Sequence, residues 1–401
     1  MIAADAFEGA ELCDQCGRES CEGHGIPPDV EPPRRPALRF RSAADIIGDP
    51  APDPIVEGIA WTDCVTVLVA ESGAGKTFVL LDLTAAVSAG IAWYGRETTA
   101  GSVAYLSFEG DALNLRLRAA RDVRGHRLDH LHILSARAPL SPVTTREGET
   151  CSAGERDLTG QLEALSAALA EAGAPPIRLV VVDTVRASLT GSEDSSEHVS
   201  AYLRAVRRCL AVVPGAALIL AHHAGWQDGE TQRKRERGSS AWRGNVDGTL
   251  YLEAGEYDRD RGECPLTLRS LKVRDGEKPP PLHLIRRRVD LAVFDRRGRP
   301  LDSCIIEPDR RSHEDIEAAR RAEADAEAEA MDRRVLQALA DRQDITSLDT
   351  IRLVVGARKA AVAESVARLV RRDFITPGRQ RHPYALTDAG RSALTGGTVC
   401  E

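Results

Sequence analysis

The chain has 401 residues, 42 % hydrophobic and 28 % charged, with a formal net charge of −8 at pH 7, which is enough for two or three domains with sizeable cores. No apolar run approaches the length of a membrane span, and the start MIAADAFEGAE carries acid where a secretory leader needs base, so a cytoplasmic, non-membrane protein is expected. The charge is uneven: residues 331–401 hold 12 Lys+Arg against 8 Asp+Glu, a local +4 that leaves −12 elsewhere, and a basic tail is where nucleic acid would be sought.

At the start of the chain, Cys13, Cys16, Cys21 and His24 form C-x₂-C-x₄-C-x₂-H within 12 residues. Four soft ligands suit a closed tetrahedral Zn²⁺ site, in which the metal supplies the order that so short a segment cannot draw from a core. The alternative is a reduced tail ahead of the proline-rich linker 27–36. The nine cysteines are otherwise scattered, and in a reducing compartment they are expected as thiols or metal ligands.

Residues 40–47 and 59–60 read as an approach segment, with Trp61 just before the strongest motif in the chain. Residues 65–77, VTVLVAESGAGKT, run from a β-branched strand through a glycine loop to a helix start. In such a loop, Ala70, Glu71, Ser72, Gly73, Ala74 and Gly75 offer backbone N–H groups to the phosphates of ATP, Lys76 reaches the β/γ-phosphates and Thr77 ligates Mg²⁺. The pattern is A-x-x-x-x-G-K-T, with Ala70 where glycine usually stands, and alanine is small enough for the position.

Beyond the loop, strands are expected at 65–70, 103–108, 131–134, 179–182 and 216–221, and helices at 77–89, 113–122, 158–172 and 198–210. That alternation predicts a mainly parallel α/β sheet, with chemistry gathered at the carboxyl ends of its strands. Asp183 ends an apolar strand and becomes a second Mg²⁺ residue, the other reading being a helix cap. Glu109 follows Phe108 and precedes a flexible glycine, so it is the candidate base that polarises a water, unless it is an ordinary loop glutamate. His222 and His223 end a third strand. Of the two, His222 is the preferred sensor of the γ-phosphate, against simple strand-end packing.

Downstream comes QRKRERGSSAWR at 232–243. With the phosphate loop, the strand-end glutamate, VVDT, HH and RGSSA in this order, the chain over about 37–310 resembles the plasmid RepA-type, RecA-like hexameric ATPases. The resemblance implies a RecA-like P-loop core in which Arg237 is an arginine finger given to a neighbour's ATP, with Lys272 and Arg274 as a K-x-R element reaching across the same interface. It implies a homo-oligomeric ring, with a hexamer as its expected form. Ala70 and the polar insertion 139–157 depart from the pattern. Independently, an arginine supplied by a neighbour is worth about 10³–10⁵ in phosphoryl-transfer rate, though 228–237 also reads as a solvated basic loop. Strands at 266–273, 282–286 and 291–294 should complete the sheet as antiparallel edges.

Residues 313–342 read as a long solvated helix, which places a linker at 311–330 ahead of a module at 331–401. Helices at 347–355 and 358–372, the latter with Val362, Val366, Leu369 and Val370 on one face, precede short strands at 374–376 and 384–387. The order resembles bacterial winged-helix DNA-binding domains, which implies DNA contacts by Arg358, Lys359, Arg379 and Arg381. Such modules also dock proteins.

The function expected is Mg²⁺-dependent ATP hydrolysis acting on or regulated by DNA. One form is a helicase-like motor whose central loops, with Arg233, Lys234 and Arg235, grip single strands. Another is an ATP-switched DNA-binding regulator, which an aromatic content of only 4 % favours. The remaining alternative to ATP hydrolysis on DNA is a P-loop kinase acting on a small acceptor, which predicts a monomer with its own lid arginines.

Overall fold

The computed structural model describes residues 42–47, 53–108, 113–135, 143–145, 148–150, 153–223, 241–273, 277–378 and 382–395. Two compact units divide the chain, Met1–Ala51 and Pro52–Glu401. In the first, the described residues hold one short helix, Ala43–Ile47; Cys13, Cys16, Cys21 and His24 lie outside the described residues.

The second unit is built on a nine-stranded sheet. In chain order its elements are β1 (Val65–Ala70), α1 (Lys76–Ala89), β2 (Ser102–Ser107), α2 (Leu113–Arg118), β3 (Leu131–Ser135), α3 (Ala153–Glu171), β4 (Ile177–Asp183), α4 (Ser196–Ala211), β5 (Ala217–His223), β6 (Gly248–Ala254), β7 (Glu263–Val273), β8 (Leu282–Phe294) and β9 (Pro300–Pro308). Across the sheet the order is β9-β8-β7-β6-β1-β5-β4-β2-β3. The six strands from β6 to β3 are parallel, and β7, β8 and β9 add on antiparallel.

Strand alternation sorts the core onto two faces. Leu68, Ala70, Tyr105, Val181, Ile219 and Ala221 pack with Val79, Leu80 and Leu83 of α1. Val65, Val67, Val69, Val180, Leu218 and Leu220 pack with Leu162 of α3 and with Tyr202 and Leu203 of α4. Covered on both faces, these strands read as continuous apolar runs, which is why sequence periodicity located them. Helix α1 is apolar nearly all round and ends at Gly90, whose φ of 65° lets its N–H reach Ala86 O and Val87 O.

The antiparallel side differs more from expectation. No strand is expected from the sequence at β6 or β9, and β8 runs unbroken through 287–290, joining the two strands expected at 282–286 and 291–294. The arginines of that stretch lie near the sheet edge, where Arg287 donates to Glu307 at 2.8 and 2.9 Å and Arg288 to Asp302. The register shifts between Asp290 and Val293, with Ala292 at φ 53°. Within the polar insertion, strands Val143–Thr145 and Gly148–Thr150 pair as a hairpin, and α3 begins at Ala153, earlier than expected.

Beyond the sheet, α5 (His313–Asp341) runs continuously from the sheet edge into a small core of its own, which it shares with α6 (Leu348–Val355), α7 (Lys359–Arg371), the paired strands β10 (Ile375–Thr376) and β11 (Ala385–Leu386) and α8 (Asp388–Thr395). Ser312 and Ser347 cap α5 and α6 by accepting from the N–H groups of Asp315 and Thr350. The expected apolar face is present, with Val362, Val366 and Leu369 buried against Val335, Leu339 and Ile351. Among the described residues no helix is long and apolar enough to cross a membrane.

Candidate functional site

The parallel register brings four strand ends together: Ala70 pairs with His223, Asp183 with Ala221, and Ser107 with Asp183. Between β1 and α1, the loop turns through Gly73 at φ 79° and Gly75 at φ 104°. Residues with a Cβ rarely adopt such angles. At Gly75 a Cβ would also stand 3.1 Å from an Arg286 nitrogen.

Lys76 is buried at the head of α1, and its ammonium donates to Ala70 O at 3.0 Å and Glu71 O at 3.1 Å. His223 Nδ1 lies 3.1 Å from the same nitrogen. Thr77 donates its hydroxyl to Asp183 Oδ2 at 2.8 Å, and Tyr105 donates to the same oxygen at 2.6 Å. The other carboxylate oxygen, Asp183 Oδ1, is buried and meets no hydrogen-bonding group among the described residues. An orphaned buried acceptor costs about 1–3 kcal/mol, and one beside a phosphate loop is the donor set that a hard cation such as Mg²⁺ takes. Thr77 and Asp183 therefore fit the ion.

Of the two histidines, the one brought to Lys76 is His223. His222 points to the opposite face, where its ring meets Trp242 edge-on at 5.0 Å and its Nε2 lies 3.0 Å from Glu193 Oε2. That separation suits an ion pair, while its angle falls short of a directed hydrogen bond. His222 holds the Glu193 carboxyl below the ordinary glutamate range, against the opposing effect of burial and with help from Arg186.

Tyr105 and Arg286 are not among the residues the sequence points to, and of the two histidines it favours His222 over His223. Strand parity identifies Tyr105 and His223. Ala217, Ile219 and Ala221 share the α1 face with Tyr105, so His223 belongs there too. Arg286 comes from β8 and donates to Gly73 O at 2.7 Å, bracing the loop from outside. It lines an adjoining cleft of about 340 Å³ with Glu71–Ala74, Tyr251, Glu253 and Tyr257.

Glu109 lies outside the described residues, although Phe108 just before it donates its N–H to Asp183 O at 2.7 Å. Arg233, Lys234, Arg235, Arg237, Arg274, Arg379 and Arg381 also lie outside them. Lys272 donates to Val246 O of its own chain at 2.7 Å. Arg358 stands at the N-terminal cap of α7, and Lys359 Nζ is 3.2 Å from Asp349.

Residues 30–229 match the family model described as an AAA domain. No curated protein matches the chain. The matched stretch contains the phosphate loop, Asp183 and both histidines, so the nucleotide-binding part of the chain is that of a P-loop ATPase.

Proposed function

We propose that the chain is a Mg²⁺-dependent ATPase of the RepA-like kind, assembling into a ring with shared active sites and acting on DNA or switched by it. The observation that carries the nucleotide half is the junction of Thr77, Tyr105 and Asp183 beside Lys76, with Asp183 Oδ1 buried and unpaired. Mg²⁺ held by Thr77 and Asp183 would neutralise charge on the β/γ oxygens of the bound nucleotide.

The chain's own residues do the rest. Backbone N–H groups of 71–77 cradle the phosphates at the positive end of α1. Lys76, held at the loop by two carbonyls, exchanges those partners for phosphate oxygens. His223 orients that ammonium and senses whether it has moved. Glu109 polarises the attacking water, and Arg237 of a neighbour stabilises the developing charge. Lys272 braces the end of β7 through Val246 O, so cross-interface reach is assigned first to Arg237 and second to Arg274.

The DNA half is supported by the local charge of +4 over 331–401 and by the placing of Arg358 and Lys359 at the leading end of α7, the second helix of a helix–turn–helix pair. The low aromatic content supports a switch over a translocating motor, and strand displacement by the purified ring would reverse that preference.

The shared site is tested by mixing. A Lys76→Ala chain keeps its arginine but has a dead loop, and an Arg237→Ala chain has the reverse. Each is inactive alone, and after subunit exchange shown by fluorescence, mixed rings regain activity at interfaces where a sound loop faces a sound arginine. No recovery above the separate variants would remove the shared site and leave a self-contained monomer.

A further inference from the structure

A second cluster of ligand-type side chains, none of them part of the phosphate loop, sits where α5 leaves the sheet. His283 is on β8, and His313 and Glu317 are four residues apart at the start of α5, on one face of that helix. One ligand atom from each of the three lies within 4.8 Å of the other two. His283 Nε2 and His313 Nδ1 are 2.8 Å apart while the ring centroids are 5.1 Å apart, so the rings meet edge to edge with their nitrogens aimed at one another.

Each half of the cluster is also held from behind. His283 Nδ1 is 3.2 Å from the hydroxyl of Thr267, its register partner on β7. Arg269 donates to Glu317 Oε1 at 3.0 Å, which leaves the other carboxylate oxygen available. A hydrogen bond to the distal imidazole nitrogen and another to the carboxylate are what orient first ligands in metal sites. The positive charge of Arg269 and Arg320 is shared with Glu253 and Glu317, and Asp309 adds a negative charge near His283.

We propose that His283, His313 and Glu317 bind one divalent first-row transition metal, Zn²⁺ above all, fastening the start of α5 to strand β8. Two imidazoles and a carboxylate match the nitrogen and oxygen preference of this ion, with remaining positions left to solvent. The metal takes the place of the direct contact between the two ring nitrogens. Nitrogens bound at about 2.0–2.1 Å stand roughly 3.3 Å apart around a tetrahedral ion, and His313, being exposed, can swing by the half ångström required. Because α5 continues into the C-terminal core, the ion would fix the root of that helix on the sheet.

The test is metal stoichiometry on the full chain, stripped with chelator and titrated with Zn²⁺. His313→Gln, His283→Gln and Glu317→Gln are each compared with the parent, so that metal held by the N-terminal Cys/His cluster cancels. Each ligand variant should bind one equivalent fewer while the metal-free melting temperature stays that of the parent, and Thr267→Val should weaken the same equivalent about tenfold. If His283→Gln does not fold, the half-buried Glu317 and exposed His313 variants decide alone. Equal zinc content in the parent and those variants overturns the proposal.

Discussion

Asp183 in the nucleotide site and Asp332 in the C-terminal core are almost equally buried, at 4 % and 5 % exposure, yet their surroundings differ in kind. Asp332 accepts from Ser365 Oγ at 2.6 Å and from Arg368 Nη2 at 2.8 Å on one oxygen, and from Arg368 Nε at 3.3 Å on the other. Asp183 has two donors crowded on Oδ2 and none on Oδ1. Asp82, a buried residue of α1, resembles Asp332: Trp93 Nε1 and His126 Nε2 each lie 2.8 Å from one of its two oxygens. A buried carboxylate completed by its own chain serves the fold, whereas one left incomplete points to something the chain binds.

The comparison breaks first at the nucleotide site, where the largest effects are expected. Lys76→Ala should lower ATP turnover by about 10³ or more by removing positive charge from the transferring phosphate, with no loss of thermal stability. Asp183→Asn should abolish Mg²⁺-dependent turnover and yet leave the nucleotide-free melting temperature unchanged or higher, because a buried charge with an unpaired oxygen becomes neutral. Steady-state turnover beside a thermal melt checks both. A melt lowered as far as that of an Asp332 variant would make Asp183 a structural residue.

At the other pole, Asp332→Ala should destabilise the C-terminal core by about 1–3 kcal/mol, since it leaves the buried Ser365 hydroxyl and the partly exposed Arg368 guanidinium without their acceptor. ATP turnover of the rest of the chain should be unaffected at temperatures where the core stays folded. Denaturant unfolding followed alongside turnover separates the two, and a parallel fall in both would show that the sheet and the C-terminal core do not behave independently.

Much of this division was legible in the sequence, for physical reasons that also explain the gaps. β1, β4 and β5 are covered on both faces, so VTVLVA, LVVV and ALILA announced themselves as apolar runs, and the residues just beyond them drew attention as site residues. β6 escaped because GTLYLEA mixes a glycine, a threonine and a glutamate into a strand packed beside β1, and β9 because PLDSCIIEP alternates polarity at an edge. The choice between His222 and His223 depends on which face of β5 carries α1, information that lies in alternation and not in residue type. Arg286 was invisible for a different reason: it is more than 200 residues from Gly73, whose carbonyl it holds, and only the antiparallel extension of the sheet brings the two together.

Arg286 supplies a smaller test of the same contrast. Its guanidinium completes the phosphate loop from outside without supplying a phosphate ligand, so Arg286→Gln should weaken nucleotide binding by about ten- to a hundredfold at most, the equivalent of one charge-assisted hydrogen bond worth about 1.5–3 kcal/mol. The maximal rate should fall less than the affinity. Nucleotide titration and turnover at saturation distinguish this bracing role from direct contact with the reacting phosphate, which would depress the maximal rate to the level of Lys76→Ala.

The smallest effect belongs to Glu193, which sits between the two cases because its partner, His222, is buried while it is itself partly exposed. Its folded pKa is depressed below the ordinary value of 4.5, chiefly by His222. The stability it contributes is therefore fully present above pH 4.5 and lost as pH falls through the lower folded value. Solvent screening limits that contribution to about 1 kcal/mol or less. In chemical unfolding at a series of pH values, the gap between the parent and Glu193→Gln should be constant from pH 7 down to about pH 5 and then close as the carboxylate takes up its proton. A gap that persists undiminished below pH 4 would mean that Glu193 stabilises the loop after β4 by packing, with His222 free of any electrostatic tie to it.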